Sequence, residues 1–417
     1  MNVQKDNKSR RKNTNWAGLF LGNFFGVLND NFLKHSIIFI ATAWTTSTFL
    51  NQSQIITLVS AALILPYLIF SPLAGKMAVL YSKQRIFRIC KIAEFPIVGL
   101  ACWGFYMQSI GLLIFTVLLM GIQSCIYSPC KYGLIRDIGG QKGIAFGSGM
   151  FEMMSFLAIL SGAVVASKIA DEYSYIVLIL LLLSFAAAGY TAVKSIKVNE
   201  TESENAHSLT ANPFLFFQRS MQFAAQYKYI NCSVLGVSAF WLIGSLVQMN
   251  LINHCTLTLH TTNTQAGVIL ALTATGIAVG CFLAGKISGK TIRPRLIFAG
   301  ISGMIVLLLV LLFFNPTLVG LGIICFFTAL AGGFFEVPCL ALLQYENTGR
   351  QLGNMLAYMN FCNFIFILIG SGLFALVTHF SNQSSIAVFW LILGLCVAIL
   401  LYFLIKYPHF LKKNWQK

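Results

Sequence analysis

The chain has 417 residues, of which 57% are hydrophobic and only 10% are charged. Soluble domains carry roughly a quarter of charged residues, so this composition excludes an ordinary soluble protein and indicates an integral membrane protein. The formal net charge of +16 would suggest a nucleic-acid partner in a soluble protein. Here we expect the basic residues in loops that orient helices, and no nucleic-acid partner is predicted.

The eleven cysteines do not indicate a metal or disulfide site. Nearly all of them fall in apolar runs without CxxC spacing, which is typical of small buried residues. No metal site and no cofactor are therefore predicted. The basic N-terminal segment precedes a long run interrupted by Asp30 and Lys34, with no small-residue cleavage pattern. The first helix is therefore predicted to be retained.

Twelve apolar runs are long enough to cross a bilayer, which takes about 20 residues. They lie at approximately residues 16–44, 53–74, 86–107, 111–135, 144–167, 174–193, 230–252, 265–285, 296–314, 317–343, 352–378 and 386–407. Loops on one side carry nearly all the lysines and arginines, whereas the opposite loops hold one basic residue, Lys168, beside Asp171 and Glu172. By the positive-inside rule, both termini are predicted to be cytoplasmic.

A long polar segment separates the sixth run from the seventh. Within it, Asn212 as an N-cap and Pro213 as the first helical residue predict a short amphipathic helix, interpreted as a surface tether. The predicted organisation is an N-terminal tail, a six-helix bundle, a linker, a second six-helix bundle and a C-terminal tail, at residues 1–15, 16–194, 195–229, 230–408 and 409–417.

The two halves share short motifs in the same order. Gly75 is followed by Arg85, and about 210 residues later Gly285 is followed by Arg295 at the same spacing. Six helices are an even number, so the two copies share one orientation in the membrane. The predicted fold is an all-α polytopic membrane protein with twelve transmembrane helices in two parallel six-helix repeats, the arrangement of the major facilitator superfamily.

Three motifs resemble the bacterial lysophospholipid transporter family. They are DNFLK at Asp30 to Lys34, YSPCKYG at Tyr127 to Gly133, and FEVP at Phe335 to Pro338 followed by LLQ. The resemblance implies flipping of lysophospholipids, such as lysophosphatidylethanolamine, from the outer to the inner leaflet of the bacterial inner membrane. It also implies a separate acyltransferase and acyl carrier protein synthetase as partners that reacylate the product.

The loop after the second helix departs from the superfamily pattern. An acidic residue usually stands four positions after the glycine of this loop, where the chain has Val79, and in the second half Gly289 stands there. The usual charge lock on the closed state is therefore in doubt. The remaining members of the predicted conformational loops are Gly75, Lys83, Arg85, Gly285 and Arg295.

Asp30 and Lys131 are the main candidates for substrate binding, because ionisable residues inside a membrane are rare and usually functional. Asp30 is expected to attract a substrate ammonium or a coupling ion, or else to form an internal ion pair with Lys34, four residues on. Lys131 is expected to attract the lipid phosphodiester, or to pair with Glu152 in the fifth helix.

Other polar residues in the spans are weaker candidates. Glu336 is predicted either to bind a proton or sodium ion or to join helices by a hydrogen bond. Gln248 is a candidate cavity residue. Lys91 and Glu94, three residues apart on a helix that is usually peripheral, are predicted to form a structural ion pair.

Alternating access about a midplane site is the predicted mechanism. A proton-coupled facilitator for a drug or small metabolite stays open as the nearest alternative. A polytopic lipid enzyme is disfavoured, because no HExxH, GxSxG or HxxxxD cluster is present. A partner or receptor that retains the fold without transporting is the third alternative.

Overall fold

The computed structural model describes residues 2–40, 44, 52–171, 174–200, 210–314 and 316–412, with the backbone alone at 2–12, 52, 53 and 263. All long elements in these ranges are α-helices. They are α1 (Asn2–Ile40), α2 (Gln52–Leu80), α3 (Lys83–Tyr106), α4 (Ile110–Gly139), α5 (Ile144–Asp171), α6 (Tyr175–Lys194), α7 (Pro213–Ala225), α8 (Ile230–Asn253), α9 (Asn263–Ser288), α10 (Arg295–Phe314), α11 (Leu318–Tyr345), α12 (Leu352–Phe380) and α13 (Ser385–Lys406).

Each of the twelve predicted runs matches one long helix. Ten of these helices are apolar enough to cross a membrane by length and composition, whereas α1 and α3 are as long but more polar. Helix α1 begins at Asn2, well before the predicted start at residue 16, because the polar N-terminal residues continue the same helix. The all-α polytopic fold is confirmed.

Helix α7 is the short helix predicted in the linker. The Asn212 side chain accepts hydrogen bonds from the backbone N–H groups of Phe214 and Leu215, at 2.9 and 3.2 Å. These bonds satisfy amide groups that have no partner inside the first turn of a helix. The predicted N-cap and the predicted first residue, Pro213, are both confirmed.

The described chain forms two compact units. Unit 1 comprises Met1–Gly140, Leu157–Ala224 and Asn347–Phe361, and unit 2 comprises Gln141–Phe156, Ala225–Glu346 and Cys362–Lys417. In unit 1, α1 packs on α6, while α2 and α3 pack on α4. The apolar core between these helices includes Phe32, Leu33 and Phe105.

In unit 2, α11 packs against α9 and α10. Helices α9 and α11 approach closely at Gly280, where a side chain would collide with the carbonyl oxygen of Leu330. The start of α5 also belongs to this unit, and a Cβ atom at Gly149 would lie 2.7 Å from the Cα atom of Gly285. Small residues of this kind let spanning helices approach to backbone contact.

Large apolar side chains cover much of the helix surface. Trp103, Phe314 and Ile405 are among the exposed ones. Water would disfavour such a surface, whereas lipid tails solvate it. Buried Pro129 in α4 and buried Pro338 in α11 stand at equivalent places inside their helices, as the repeat predicts.

Candidate functional site

The motif around Lys131 occupies the buried face of α4. The Lys131 side chain is only 8% exposed. Its ammonium donates a hydrogen bond to Asn23 Oδ1 of α1 at 3.0 Å and lies 5.1 Å from the centroid of the Tyr127 ring. A cation above an aromatic face is attracted by the ring quadrupole. The predicted intramembrane lysine is therefore turned into the protein interior.

Asp30 lies seven residues after Asn23 and therefore on the same side of α1. Its carboxylate accepts a hydrogen bond from Ser124 Oγ of α4 at 2.7 Å. The alternative role, an ion pair with Lys34, is not found among the salt bridges of the described residues. A spacing of four residues puts both side chains on one flank of α1, but the carboxylate turns toward α4.

Lys91 and Glu94 form a fully buried ion pair with a nitrogen–oxygen distance of 2.6 Å. The other carboxylate oxygen of Glu94 accepts from Asn29 of α1 at 2.6 Å. The ammonium of Lys91 also lies 5.6 Å from the centroid of the Tyr127 ring. The predicted pair is confirmed, and α3 turns both charges toward α1 and α4.

These side chains form one group in unit 1, which we call the polar cluster. It consists of Asn23, Asn29, Asp30, Lys91, Glu94, Ser124, Tyr127 and Lys131. Two lysines and two carboxylic acids give it equal numbers of basic and acidic groups. Its aromatic centre, Tyr127, also stacks on Phe87 at 5.2 Å between ring centroids. The cluster can therefore offer both a cation and an anion to a zwitterionic ligand.

Small residues make room for the buried lysine. A Cβ atom at Gly26 of α1 would lie 2.5 Å from the Lys91 ammonium, and one at Gly189 of α6 would lie 3.4 Å from it. In the sequence, this part of the cluster was indicated only by two charged residues, Lys91 and Glu94, within one predicted span. The glycines that face them could be recognised only from the packing.

Buried acids in unit 2 form a second polar region. Glu336 of α11 and Glu152 of α5 are 1% and 2% exposed, and the two interact electrostatically. The Cys281 thiol donates to a carboxylate oxygen of Glu336 at 3.7 Å. Lys131 and Glu152 belong to different units, and their pairing stays a prediction.

Gln248 is not part of either polar region. Its side chain on α8 is exposed, and no hydrogen bond joins it to the buried acids among the described residues of unit 2. Its role in binding stays a prediction. By contrast, Asn360 at the start of α12 donates to Ser128 Oγ of α4 at 2.9 Å, in unit 1.

Ion pairs that involve no acid at position 79 lie beside the loop between α2 and α3. Val79 itself is fully buried. Lys83 pairs with Asp137 at the end of α4, with 2.5 Å between Nζ and Oδ2. Glu200, after α6, pairs with Arg350 before α12 at 3.4 Å. Charge contacts at this loop are therefore made by residues other than the acid that usually stands at position 79.

Glu200 also caps α3. Its carboxylate accepts from Ser82 Oγ and from the backbone N–H of Lys83, both at 2.7 Å, and from the backbone N–H of Gln84 at 3.0 Å. Negative charge at a helix N-terminus is stabilised by unpaired amides and by the helix dipole. In the sequence, Glu200 is only one of several acids in the polar linker, and no local pattern indicates the cap.

The other predicted loop residues divide into two kinds. Gly75 and Gly285 lie in close helix contacts, the first against Asn354 and the second against Gly149. Arg85 and Arg295 are exposed. Whether any of them controls a conformational change stays a prediction.

A family model for the Major Facilitator Superfamily matches residues 19–371 of this chain. The chain belongs to the Major Facilitator Superfamily. This facilitator is similar to proteins named lysophospholipid transporter LplT. That of Yersinia enterocolitica is 26% identical over 357 residues, covering 85% of each chain. That of Escherichia fergusonii is 26% identical over 317 residues, covering 74% of this chain and 76% of the relative. The sequence resemblance to that family is confirmed.

Solved structures agree on the fold. The human organic anion transporter MFSD10 superposes with a TM-score of 0.75 at 13% identity, covering 94% of this facilitator and 99% of that chain. The Escherichia coli fucose:proton symporter FucP superposes with a TM-score of 0.70 at 15% identity, covering 93% and 97%. These similarities agree with the facilitator fold of two parallel six-helix repeats.

Proposed function

We propose that this facilitator moves lysophospholipids, such as lysophosphatidylethanolamine, from the outer to the inner leaflet of a bacterial inner membrane. Two six-helix halves would rock about a midplane site that opens to each leaflet in turn. Both termini would be cytoplasmic, as the distribution of basic residues predicts. The product would then be reacylated by an acyltransferase linked to an acyl carrier protein synthetase.

The observation that carries the proposal is the charge arrangement of the polar cluster. Lys131 of α4 and Asp30 of α1 are an ammonium and a carboxylate set among side chains of the same unit. A lysophosphatidylethanolamine head group carries a phosphate and an ammonium. The phosphate would bind Lys131 and the ammonium would bind Asp30, because each group then meets an opposite charge away from bulk water. Glu152 is the further candidate for the ammonium.

The names of the relatives support the same substrate class. A single acyl chain would remain in an apolar environment while the head group crosses. The abundant phenylalanines do not identify that path, because most of them pack between helices or face lipid.

Ligand-induced stabilisation tests the proposal. The protein is purified in a detergent that binds weakly to it, and its unfolding temperature is measured with two ligands. Lysophosphatidylethanolamine should raise this temperature more than glycerophosphoethanolamine, which has the head group alone. Lys131→Ala should lose this gain, whereas Lys290→Ala, at an exposed lysine, should keep it. Equal stabilisation of both variants by the lipid would contradict the head-group assignment.

Glu336 favours a second candidate, proton-coupled import or export of a small amphipathic solute. Its buried carboxyl group receives one described hydrogen bond, from a thiol, which is a weak donor. A carboxyl group in such surroundings is suited to gain and lose a proton. Acidification of the liposome interior that is driven by a solute and disappears in Glu336→Gln would favour this function. If no soluble compound tested causes acidification, this function is rejected.

A further inference from the structure

A basic cleft of about 460 Å³ lies where α3 begins, beside the segment that follows α6. It is lined by Ser82, Gln84, Arg85, Arg88, Lys197 and Val198. Three of these residues are basic and none is acidic. The cleft belongs to unit 1, and none of its lining residues is a member of the polar cluster.

Arg88 supplies a guanidinium group to the lining of this cleft. One guanidinium nitrogen donates to the carbonyl oxygen of Ile196 and lies 3.5 Å from Gln84 Oε1. The Nε–H group is buried and has no hydrogen-bond partner in the described part of the chain. No salt bridge between described residues involves Arg88, so its positive charge can attract an anionic ligand at the cleft.

Glu200, the acid that contacts Ser82 and Gln84 of this lining, already has a basic partner. The Glu200 carboxylate is engaged by Ser82, by the first amides of α3 and by Arg350. Arg85 and Lys197 are exposed at the cleft. The three cations therefore present unused charge to a ligand outside the protein.

The surface next to the cleft is apolar. Ile89 and Ile92 of α3 are 53% and 52% exposed. They follow Arg85 and Arg88 by four residues each, so each isoleucine lies one turn further into the helix on the same side as its arginine. A ligand seated in the cleft can thus place a charged group among the arginines and hydrocarbon along α3. Free phosphate would contact only the arginines and would leave the apolar surface of Ile89 and Ile92 uncovered.

We propose that this cleft binds the phosphate group of an anionic phospholipid, with the acyl chains lying along Ile89 and Ile92. Basic pockets between spanning helices on the cytoplasmic side are suited to such head groups. The lipid would join the first turn of α3 to the segment after α6. This site is distinct from the proposed substrate site, and its test does not depend on which substrate is transported.

Native mass spectrometry of the full-length protein tests the site, with dioleoylphosphatidylglycerol titrated against dioleoylphosphatidylcholine. The double variant Arg85→Gln with Lys197→Gln should weaken phosphatidylglycerol binding by roughly an order of magnitude, because each surface cation adds to the attraction of anionic lipid. The matched control, Lys290→Gln with Arg293→Gln, removes two exposed cations that do not line the cleft and should bind like the wild type.

Two results would overturn the proposal. One is equal phosphatidylglycerol binding by the cleft variant and the control variant. The other is thermal stabilisation by inorganic phosphate that matches stabilisation by the lipid at equal concentration, because the apolar part of the surface would then contribute nothing. Preferential binding of phosphatidylglycerol that is lost only in the cleft variant supports it.

Discussion

Glu200, in the segment after α6, forms a buried ion pair with Arg350, which precedes α12. The same guanidinium nitrogen of Arg350 donates to the carbonyl oxygen of Tyr81 at 3.1 Å. One carboxylate therefore connects the linker, the N-terminus of α3 and the start of α12 within unit 1. An acidic residue at position 79 is not needed for charge contacts at this loop.

Neutralising Glu200 should destabilise this arrangement. Glu200→Gln removes the charge that meets Arg350 and the helix dipole, and leaves one acceptor oxygen for several donors. We expect a loss of about 1.5–3 kcal/mol, the range for hydrogen bonds to charged groups. Thermal unfolding in detergent checks this, with Asp171→Asn as the control at an exposed acid. An unchanged midpoint in Glu200→Gln would show that the cap contributes little.

The buried pair of Lys91 and Glu94 should respond differently to single and double substitution. Lys91→Gln or Glu94→Gln alone leaves one charge buried without its partner, at a cost of about 3–5 kcal/mol. The double variant removes both charges and keeps an acceptor for Asn29, so it should recover most of that loss. The fraction of monodisperse protein and its unfolding midpoint measure this. A double variant as unstable as the sum of the singles would contradict the pairing.

Asp30 and Ser124 can be separated by their effects on transport. Asp30→Asn keeps an oxygen that accepts from Ser124 but removes the charge, so lysophosphatidylethanolamine uptake should be lost while the unfolding midpoint changes little. Ser124→Ala keeps the charge and removes the hydrogen bond, so it should retain most of the uptake. If uptake were instead retained in Asp30→Asn and lost in Ser124→Ala, the contribution of this pair would be orientation and not charge.

The contact between α5 and α9 in unit 2 should be sensitive to one methyl group. A Cβ atom at Gly149 would lie 2.5 Å from the carbonyl oxygen of Cys281. Gly149→Ala should therefore cost about 1–3 kcal/mol through overpacking. Gly244→Ala is the matched control, because no atom lies within 4 Å of its Cβ position. The unfolding midpoint of Gly244→Ala should equal or exceed that of the wild type. The same midpoint for Gly149→Ala and Gly244→Ala would contradict this packing.

The lengths of the apolar runs predicted the helices well. Each run of about 20 apolar residues became one helix, because a spanning segment must satisfy its backbone hydrogen bonds internally. Asn212 and Pro213 predicted the start of α7 because capping is a local property of the chain.

Contacts between helices were less accessible from the sequence. The i,i+4 spacing of Asp30 and Lys34 suggested an ion pair, but the neighbouring Ser124 of α4 holds the carboxylate. The rotation of α3, which turns Lys91 and Glu94 toward Tyr127, depends on how helices pack and not on periodicity within α3. The cap supplied by Glu200 joins residues more than a hundred positions apart, which no local pattern indicates.

Uptake of labelled lysophosphatidylethanolamine into proteoliposomes is the most direct test of the central claim, comparing wild type, Lys131→Ala and the exposed-lysine control Lys290→Ala. The account predicts lipid movement between leaflets for the wild type and the control, and strongly reduced movement for Lys131→Ala at equal insertion. Absence of movement in a well-inserted wild type would contradict the lipid substrate, and full movement in Lys131→Ala would contradict the head-group site.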